Sequence, residues 1–394
     1  MKTVNVAVIG AAGWIGSVHA ECYARLNTMI PHAKVVLHTA VDVVEENAKK
    51  IADQLGFLKY TTDYHDAVND PEVDIIDICC NNNFHKEIAI QAANAGKHVF
   101  CEKPLAMTEA DALEMVECVK KNGVVNGCNL VYRKYPGVAF IKNLIDEGKL
   151  GKLYYIKALI EQDSHSDPKD MHAWLFNRAK AGGGTIVTNG THPIDLCRYL
   201  MGDYEEVSAI SETFIKERPK FDPSQIGMAG SRTFIEKRPD IIEGEMEKVD
   251  VDDATAALIK FKNGGIGVLV STWAKQGTRH NVGFEIVGSK GSAIFNTERL
   301  NEVQLYINET DDRTRIGYTT IFLGNEHPYG ELINMKSGTG IGGKDVFAFS
   351  MKDFVECVLE SKEMSPSFYD GYMAVKYLKR IQQAADEHRW VSAE

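Results

Sequence analysis

The sequence predicts an α/β protein of two domains, the first built on a parallel sheet and the second rich in antiparallel strands. Three observations carry this. The 394 residues exceed what one hydrophobic core usually serves. Apolar runs alternate with helical stretches from Thr3 to Val131, as strands and crossover helices do in a parallel sheet. From Ala254 the short runs are instead joined by glycine turns, in the manner of a β-meander.

Composition narrows the function classes. Hydrophobic residues at 44% and charged residues at 25% are ordinary for a globular protein, and no apolar run is long enough to cross a bilayer. The net charge of -11 disfavours nucleic acid or an anionic membrane as partner. The first strand starts almost at Met1, which leaves no room for an export signal, so a cytoplasmic location is expected. The eight cysteines form no Cys-x-x-Cys pair, and Cys79 and Cys80 lie in an apolar run, so reduced thiols are expected rather than a disulfide or zinc frame.

Thr3 to Ile9 is a β-branched run that ends in Gly10-Ala-Ala12-Gly13-Trp14-Ile15-Gly16, followed by a helix over Ser17 to Leu26. Such a turn lets the backbone approach a pyrophosphate, whose charge meets the N–H groups and positive dipole end of the helix. Ala12 stands where the usual fingerprint has its second glycine, so the turn is one residue longer. Val35 to Val41 is a second strand, ending at Asp42, which is placed to accept hydrogen bonds from an adenosine ribose. Val43 and Val44 offer no positive charge for a 2′-phosphate, which favours NAD over NADP. A helix over Glu45 to Leu55 and a short one from Thr62-Asp63-Tyr64 follow, then a third strand, Val73 to Cys80. The loop after it, Asn81-Asn82-Asn-Phe-His85, carries amides and an imidazole suited to a cofactor.

A helix from Phe84 to Ala95 stops at Gly96, and His98 to Cys101 reads as a short buried strand. Glu102-Lys103-Pro104 comes at its C-terminal end, the edge that faces the ligand crevice in such sheets, with Lys103 biased toward an extended backbone by Pro104. Lys103 is the first candidate for chemistry. Thr108 to Lys121 is a helix capped by Thr108, and Val124 to Val131 a fifth strand, one short of a complete dinucleotide-binding sheet, whose sixth strand is sought just beyond.

In the second half, Arg133-Lys-Tyr-Pro136 leads into a helix over Val138 to Glu147, and Leu153 to Glu161 reads as a strand. Ser164 to Ala181 is irregular and polar, with His165, Asp167, His172, Trp174 and Arg178 suited to hydroxyl groups and to stacking on a ring. Zinc ligation by His165, His172, His192 and Asp195 would need a spacing that fits no helical ligand pattern, so no metal is expected. Gly182-Gly-Gly184 precedes a helix carrying His192 and Asp195 on one face. Asp195 is placed to fix the tautomer of His192, or to act structurally near the helix N-terminus. After a strand over Val207 to Thr213, TFIKERP (Thr213 to Pro219) recurs as TFIEKRP (Thr233 to Pro239), read as an exposed arm or hairpin. The meander then runs Ala256–Phe261, Ile266–Trp273, Val282–Val287 and Ala293–Phe295, and one face of its sheet needs a cover, so self-association is expected. Lys344 to Ser361 and Tyr369 to His388 read as helices.

Taken together, GWIGSVHA, AGKHVFCEKP and GGGTIVTNGTHPID resemble the Gfo/Idh/MocA family over nearly the whole chain. The resemblance implies an NAD-binding Rossmann domain over residues 1–131. It implies a substrate-binding and oligomerising α/β domain over 132–394, on a large, mostly antiparallel open sheet, with helices 344–388 folding back toward the interface. It implies hydride transfer between NAD and a secondary hydroxyl of a sugar, glycoside or inositol, in a homo-oligomer. Lys103 then matches the catalytic lysine, as general acid/base, and His192 the second catalytic position. The cofactor candidates are Gly10, Ala12, Gly13, Trp14, Ile15, Asp42, Cys80, Asn81, Asn82, His85, Glu102 and Lys103; the substrate candidates are Lys103, Arg133, His165, His172, Trp174, Asn189, His192 and Asp195. Two positions depart from the family pattern: Thr188 stands where many members have aspartate, and Cys80-Asn81-Asn82 where Thr-Pro-Asn is common. Two other activities stay open, a redox-neutral glycosidase working through a transient keto sugar and a non-catalytic NAD-binding sensor.

Overall fold

A computed structural model describes residues 1–220, 245–309, 312–333 and 340–394. The chain forms two compact units, Met1–Lys149 with Leu300–Lys376 and Leu150–Arg299 with Tyr377–Glu394.

The first unit opens with β1 (Lys2–Ile9), α1 (Trp14–Met29), β2 (Ala33–Val41), α2 (Glu45–Leu55), β3 (Lys59–Thr61) and α3 (Tyr64–Asn69). It continues with β4 (Ile75–Ile78), α4 (His85–Asn94), β5 (His98–Cys101), α5 (Glu109–Asn122), β6 (Asn126–Cys128) and α6 (Pro136–Asp146). The strands form a parallel sheet in the order β3-β2-β1-β4-β5-β6. Strand periodicity serves both faces. Val4, Val6 and Val8 join a core with Tyr23 and Leu26 of α1 and Met351, Phe354 and Val355 of the late helix Gly343–Glu360, whereas Ala7 and Ile9 join Ile88 of α4 and Met115 of α5 on the other side. Local signals end the helices: Thr108 accepts from the Asp111 N–H at the start of α5, and Gly123 closes it with φ 64°.

Two expectations change here. The sixth strand is β3, between the second and third predicted strands rather than beyond the fifth; its three residues form a sheet edge, and Lys-Tyr-Thr, exposed at Lys59 and Tyr60, is too short to show an apolar run. Packing also does not follow the linear boundary at 131/132. The apolar face of helix Gly343–Glu360 completes the core of the first unit, and helix Phe368–Glu387 begins in that unit.

The second unit contains β7 (Leu153–Glu161), α7 (Arg178–Ala181), α8 (Thr185–Thr188), α9 (Thr191–Met201), β8 (Tyr204–Glu212), β9 (Glu217–Pro219) and β10 (Met246–Lys248). These are followed by β11 (Ala254–Phe261), β12 (Ile266–Thr272), β13 (Asn281–Gly288) and β14 (Gly291–Asn296). Its large sheet runs β14-β13-β7-β12-β11-β8, with Val391–Ser392 against β8, and every pair is antiparallel except β7–β12. The expected meander is therefore two hairpins with β7 inserted between them. Ile156, Ala158 and Ile160 of β7 are buried, which makes it a central strand although it comes first in the unit's sequence. The opposite face presents Tyr155, Ile210, Leu258, Ile266 and Val268 to solvent.

The first TFIKERP copy is not a free arm. β9 pairs antiparallel with β10, and Arg218 within it is fully buried. The second copy lies outside the described residues.

Candidate active site

The glycine turn follows β1 at the point where the strand order reverses between β1 and β4, the crevice of an open α/β sheet. Gly10 has φ +82°, and a Cβ on it would lie 2.9 Å from the Cys79 carbonyl, so only glycine fits. A Cβ on Gly16 would come within 2.2 Å of the Gly10 oxygen, which explains the glycine that lets α1 pack closely on its strand. Gly13 is the N-cap of α1 with no side-chain cap, and the first turn contains no acid. That leaves the positive helix end for an anion, so the residues present fit a dinucleotide pyrophosphate, with Ala12, Trp14 and Ile15 flanking it. Asp42 stands one residue beyond β2; its Oδ1 accepts the Val44 N–H at 3.1 Å, and Val43 beside it is exposed.

Beyond β4, Cys80, Asn81 and Asn82 lead into α4 at the same sheet edge, with Asn81 exposed. His85 corrects an expectation. It is fully buried, with Nδ1 3.1 Å from the Pro104 carbonyl and Nε2 3.1 Å from the Cys80 carbonyl, so the imidazole ties this loop to the Lys103 strand end instead of facing a cofactor. Burial pushes its pKa down.

Lys103 follows β5 by two residues, as the sequence suggests, with Glu102 buried beside it. Burial lowers the Lys103 pKa, and the Glu102 carboxylate opposes that shift in part. Glu102 is held ionised: burial would raise its pKa, but hydrogen bonds and charge from His19, with help from Lys103 and Asn129, bring it down. The sequence reading missed His19, Asp77 and Asn129 here. Asp77 was detectable as a carboxylate inside an apolar strand, a residue type rarely buried without a partner.

Arg133 is a second correction. Its guanidinium is 4% exposed and donates to Asp370 at 3.1 Å and to the Ser365 hydroxyl at 3.4 Å, both bonds internal to the first unit.

In the second unit the predicted single helix after Gly184 breaks into α8 and α9 at Asn189–Gly190. His192 lies in the first turn of α9 at 8% exposure and Asp195 one turn on at 2%. Asp252, missed from the sequence, pins the start of α8: its carboxylate accepts the Gly184 and Ile186 N–H groups at 2.8 and 3.0 Å and its carbonyl accepts that of Thr185. A Cβ on Gly184 would sit 2.0 Å from the Asp252 carbonyl oxygen, a physical reason for glycine there. Asn189 is partly buried, with Nδ2 inside and unbonded, while Thr188, at the position of the family aspartate, is exposed.

The polar segment 164–181 is built around aromatics. The His165 ring meets Phe176 and Trp273 edge-on at 5.1 Å each, and His172 has Nδ1 3.4 Å from Glu247. Trp273 is fully buried and donates to Asp253 at 2.7 Å, whereas Trp174 stays 54% exposed. Arg218 stacks over Phe176 at 4.3 Å and donates to the carbonyls of His165 and Asp167 at 2.7 and 2.9 Å, clamping the segment from β9.

A doubly wound sheet with an uncapped glycine turn at its switch point defines a dinucleotide-binding α/β oxidoreductase. Residues 4–130 match the oxidoreductase family with an NAD-binding Rossmann fold, and residues 138–294 match the GFO/IDH/MocA C-terminal domain. The chain belongs to the Gfo/Idh/MocA family, and it is an NAD-dependent dehydrogenase. It is 34% identical to levoglucosan dehydrogenase of Pseudarthrobacter phenanthrenivorans, over 99% of this chain and 98% of the relative. It is 28% identical to myo-inositol 2-dehydrogenase of Thermotoga maritima, over 99% of each. Among solved structures, levoglucosan dehydrogenase in complex with NADH and L-sorbose superposes with a TM-score of 0.91 at 33% identity, covering all of both chains.

Proposed function

We propose that this dehydrogenase oxidises a secondary hydroxyl of a cyclic sugar or anhydrosugar, with Lys103 as general base and His192 orienting the hydroxyl. The observation that carries the assignment is Lys103 itself, held at the crevice end of β5 with its pKa lowered by burial. As the neutral amine it takes the hydroxyl proton, and in the reverse direction the ammonium returns it. NAD supplies the hydride acceptor. Gly10, Ala12, Gly13, Trp14 and Ile15 would hold its pyrophosphate, Asp42 its adenosine ribose, and Cys80, Asn81, Asn82 and Glu102 the edge near Lys103. The full-length similarity to levoglucosan dehydrogenase supports levoglucosan, with myo-inositol next, as first compounds to try.

The test is a spectrophotometric screen of anhydrosugars, glycosides and inositols with NAD. One NADH per ketone formed is expected. Release of free sugar with no NADH overturns the reading in favour of a redox-neutral glycosidase. The exposed apolar residues on the second unit's sheet support a homo-oligomer, which light scattering checks; a monomer at micromolar concentration removes that part. Among the described residues no helix is long and apolar enough to cross a membrane, and a cytoplasmic place of work is part of the same reading.

A further inference from the structure

Beneath the Glu102–Lys103 corner lies a charged cluster with no part so far in the chemistry. His19, in the second turn of α1, is fully buried. Its Nδ1 is 2.9 Å from Asp77 Oδ2 and its Nε2 is 3.1 Å from Glu102 Oε1. Glu102 accepts twice more, from Asn129 Nδ2 at 2.6 Å onto Oε1 and from the Lys103 backbone N–H at 3.0 Å onto Oε2. The rings of Phe347 and Phe100 close over the imidazole at 5.8 and 6.0 Å.

Carboxylates at both nitrogens favour the doubly protonated imidazolium, with Asn129 Nδ2 also 3.1 Å from Nε2 and Cys79 Sγ 3.1 Å from Nδ1. Burial opposes that charge, but Asp77 and then Glu102 overcome it and raise the His19 pKa to about 9. His19, Asp77 and Cys79 also lie close enough together to suggest a cation site, but a doubly donating ring has no lone pair to give a metal. The remaining neighbours are neutral. Burial holds the Tyr23 hydroxyl and the Cys79 and Cys101 thiols protonated, with Asp77 adding to the effect on Tyr23 and Cys79. The Cys128 thiol faces Lys103 from β6. Glu102 is thus a carboxylate that acts on Lys103 directly, and His19, with Asp77 behind it, is bonded to that carboxylate.

We propose that His19 is a positioning residue for proton transfer: by pairing with Glu102 it neutralises a carboxylate bonded to the Lys103 backbone N–H, and so lets Lys103 work as a neutral amine. Without it, Glu102 stands as an uncompensated carboxylate against the lysine, with Asp77 behind it, and the ammonium form gains. The proposal rests on the reading of Lys103 as general base.

In cofactor-free protein labelled with ¹³Cε-lysine, the Lys103 signal is assigned by its absence from Lys103→Met and followed against pH. In His19→Gln it should titrate about one pH unit or more above the wild type, the shift an uncompensated neighbouring charge produces. The rising limb of kcat for oxidation should move the same way. Glu102→Gln should move both down, and removing His19 in that background should shift them by less than in the wild type, because the part that acts through Glu102 is gone while the Asp77 charge stays. A folded His19→Gln protein with an unmoved Lys103 titration overturns the proposal, as does a double variant in which removing His19 shifts that titration as far as it does with Glu102 in place. If His19→Gln does not fold, the wild type decides: ¹⁵N signals of a doubly protonated His19 at pH 8 are expected, and a neutral ring overturns the proposal. Survival of the kcat limb in Lys103→Met is a separate result, because it removes the base itself.

Discussion

Lys103 and His192 come to their places by different physics. Lys103 sits just past the end of a buried parallel strand, with its neighbour Glu102 locked by bonds from His19, Asn129 and the lysine's own backbone. His192 stands on a short helix that starts after a break, and the preceding turn is held by one carboxylate, Asp252. The first arrangement controls charge. The second controls backbone path, and its segment 164–181 is held by bonds to its backbone, from Arg218 to the carbonyls of His165 and Asp167 and from the Arg178 N–H to Asp250. Substitutions near Lys103 should therefore appear in pH profiles, and those near His192 in stability and KM.

The largest expected effect is on turnover. Lys103→Met keeps length and apolar bulk but removes the amine, so kcat should fall by ~10²-fold or more while NAD still binds, as judged by titration calorimetry. Near wild-type turnover in that variant would end the distinction between the two regions. Asp252→Ala should come next. It leaves two N–H groups at the start of α8 unpaired, and denaturant unfolding should show a loss of about 1–3 kcal/mol for each that stays buried, with a higher KM for substrate and unchanged NAD affinity. An altered NAD affinity with unchanged KM would mean that Asp252 serves the other region.

Replacing Asp42 by Ser together with Val43→Arg should shift the ratio of NADP to NAD use by about tenfold, since repulsion is removed and a charge-assisted partner supplied. A wild type that already prefers NADP contradicts the reading of β2. His192→Asn should cost only about fivefold to tenfold in kcat, the scale of one hydrogen bond, and should leave the pH limb in place. Loss of the limb would give the histidine, not the lysine, the proton. The smallest effect is on stability against pH. The His19 pKa is raised from 6.5 to about 9 in the fold, so its contribution is fully present below pH 6.5 and fades as pH rises through 9. The stability advantage of wild type over His19→Gln should narrow over that window, and an advantage that grows instead would show that His19 is neutral.

The sequence by itself determined the parts that depend on local chemistry. Periodicity and glycine turns placed β1, β2, β5 and β7 to within two residues of their observed ends, because a strand buried on one or both faces must show its apolar residues in order. Thr108, Gly96 and Gly10 stand where backbone geometry requires those residue types, and Lys103 could be singled out because a strand end, a charged residue and a proline are all local facts. Only the tertiary structure decided what depends on long separations. β7 lies between two later hairpins, β3 has no apolar run to announce it, and the helix Gly343–Glu360 packs on α1 more than three hundred residues upstream. His85 and Arg133, read as ligand contacts, are bonded inside the first unit, and Arg218, in a segment read as an exposed arm or hairpin, is paired in a short antiparallel ladder and buried over Phe176. A polar side chain can be satisfied by a ligand, by water or by another part of the chain, and its sequence neighbours do not say which. For His19 the partners lie 58 and 83 residues away. The charge next to Lys103 is set there, by a pairing between two motifs that neither motif announces.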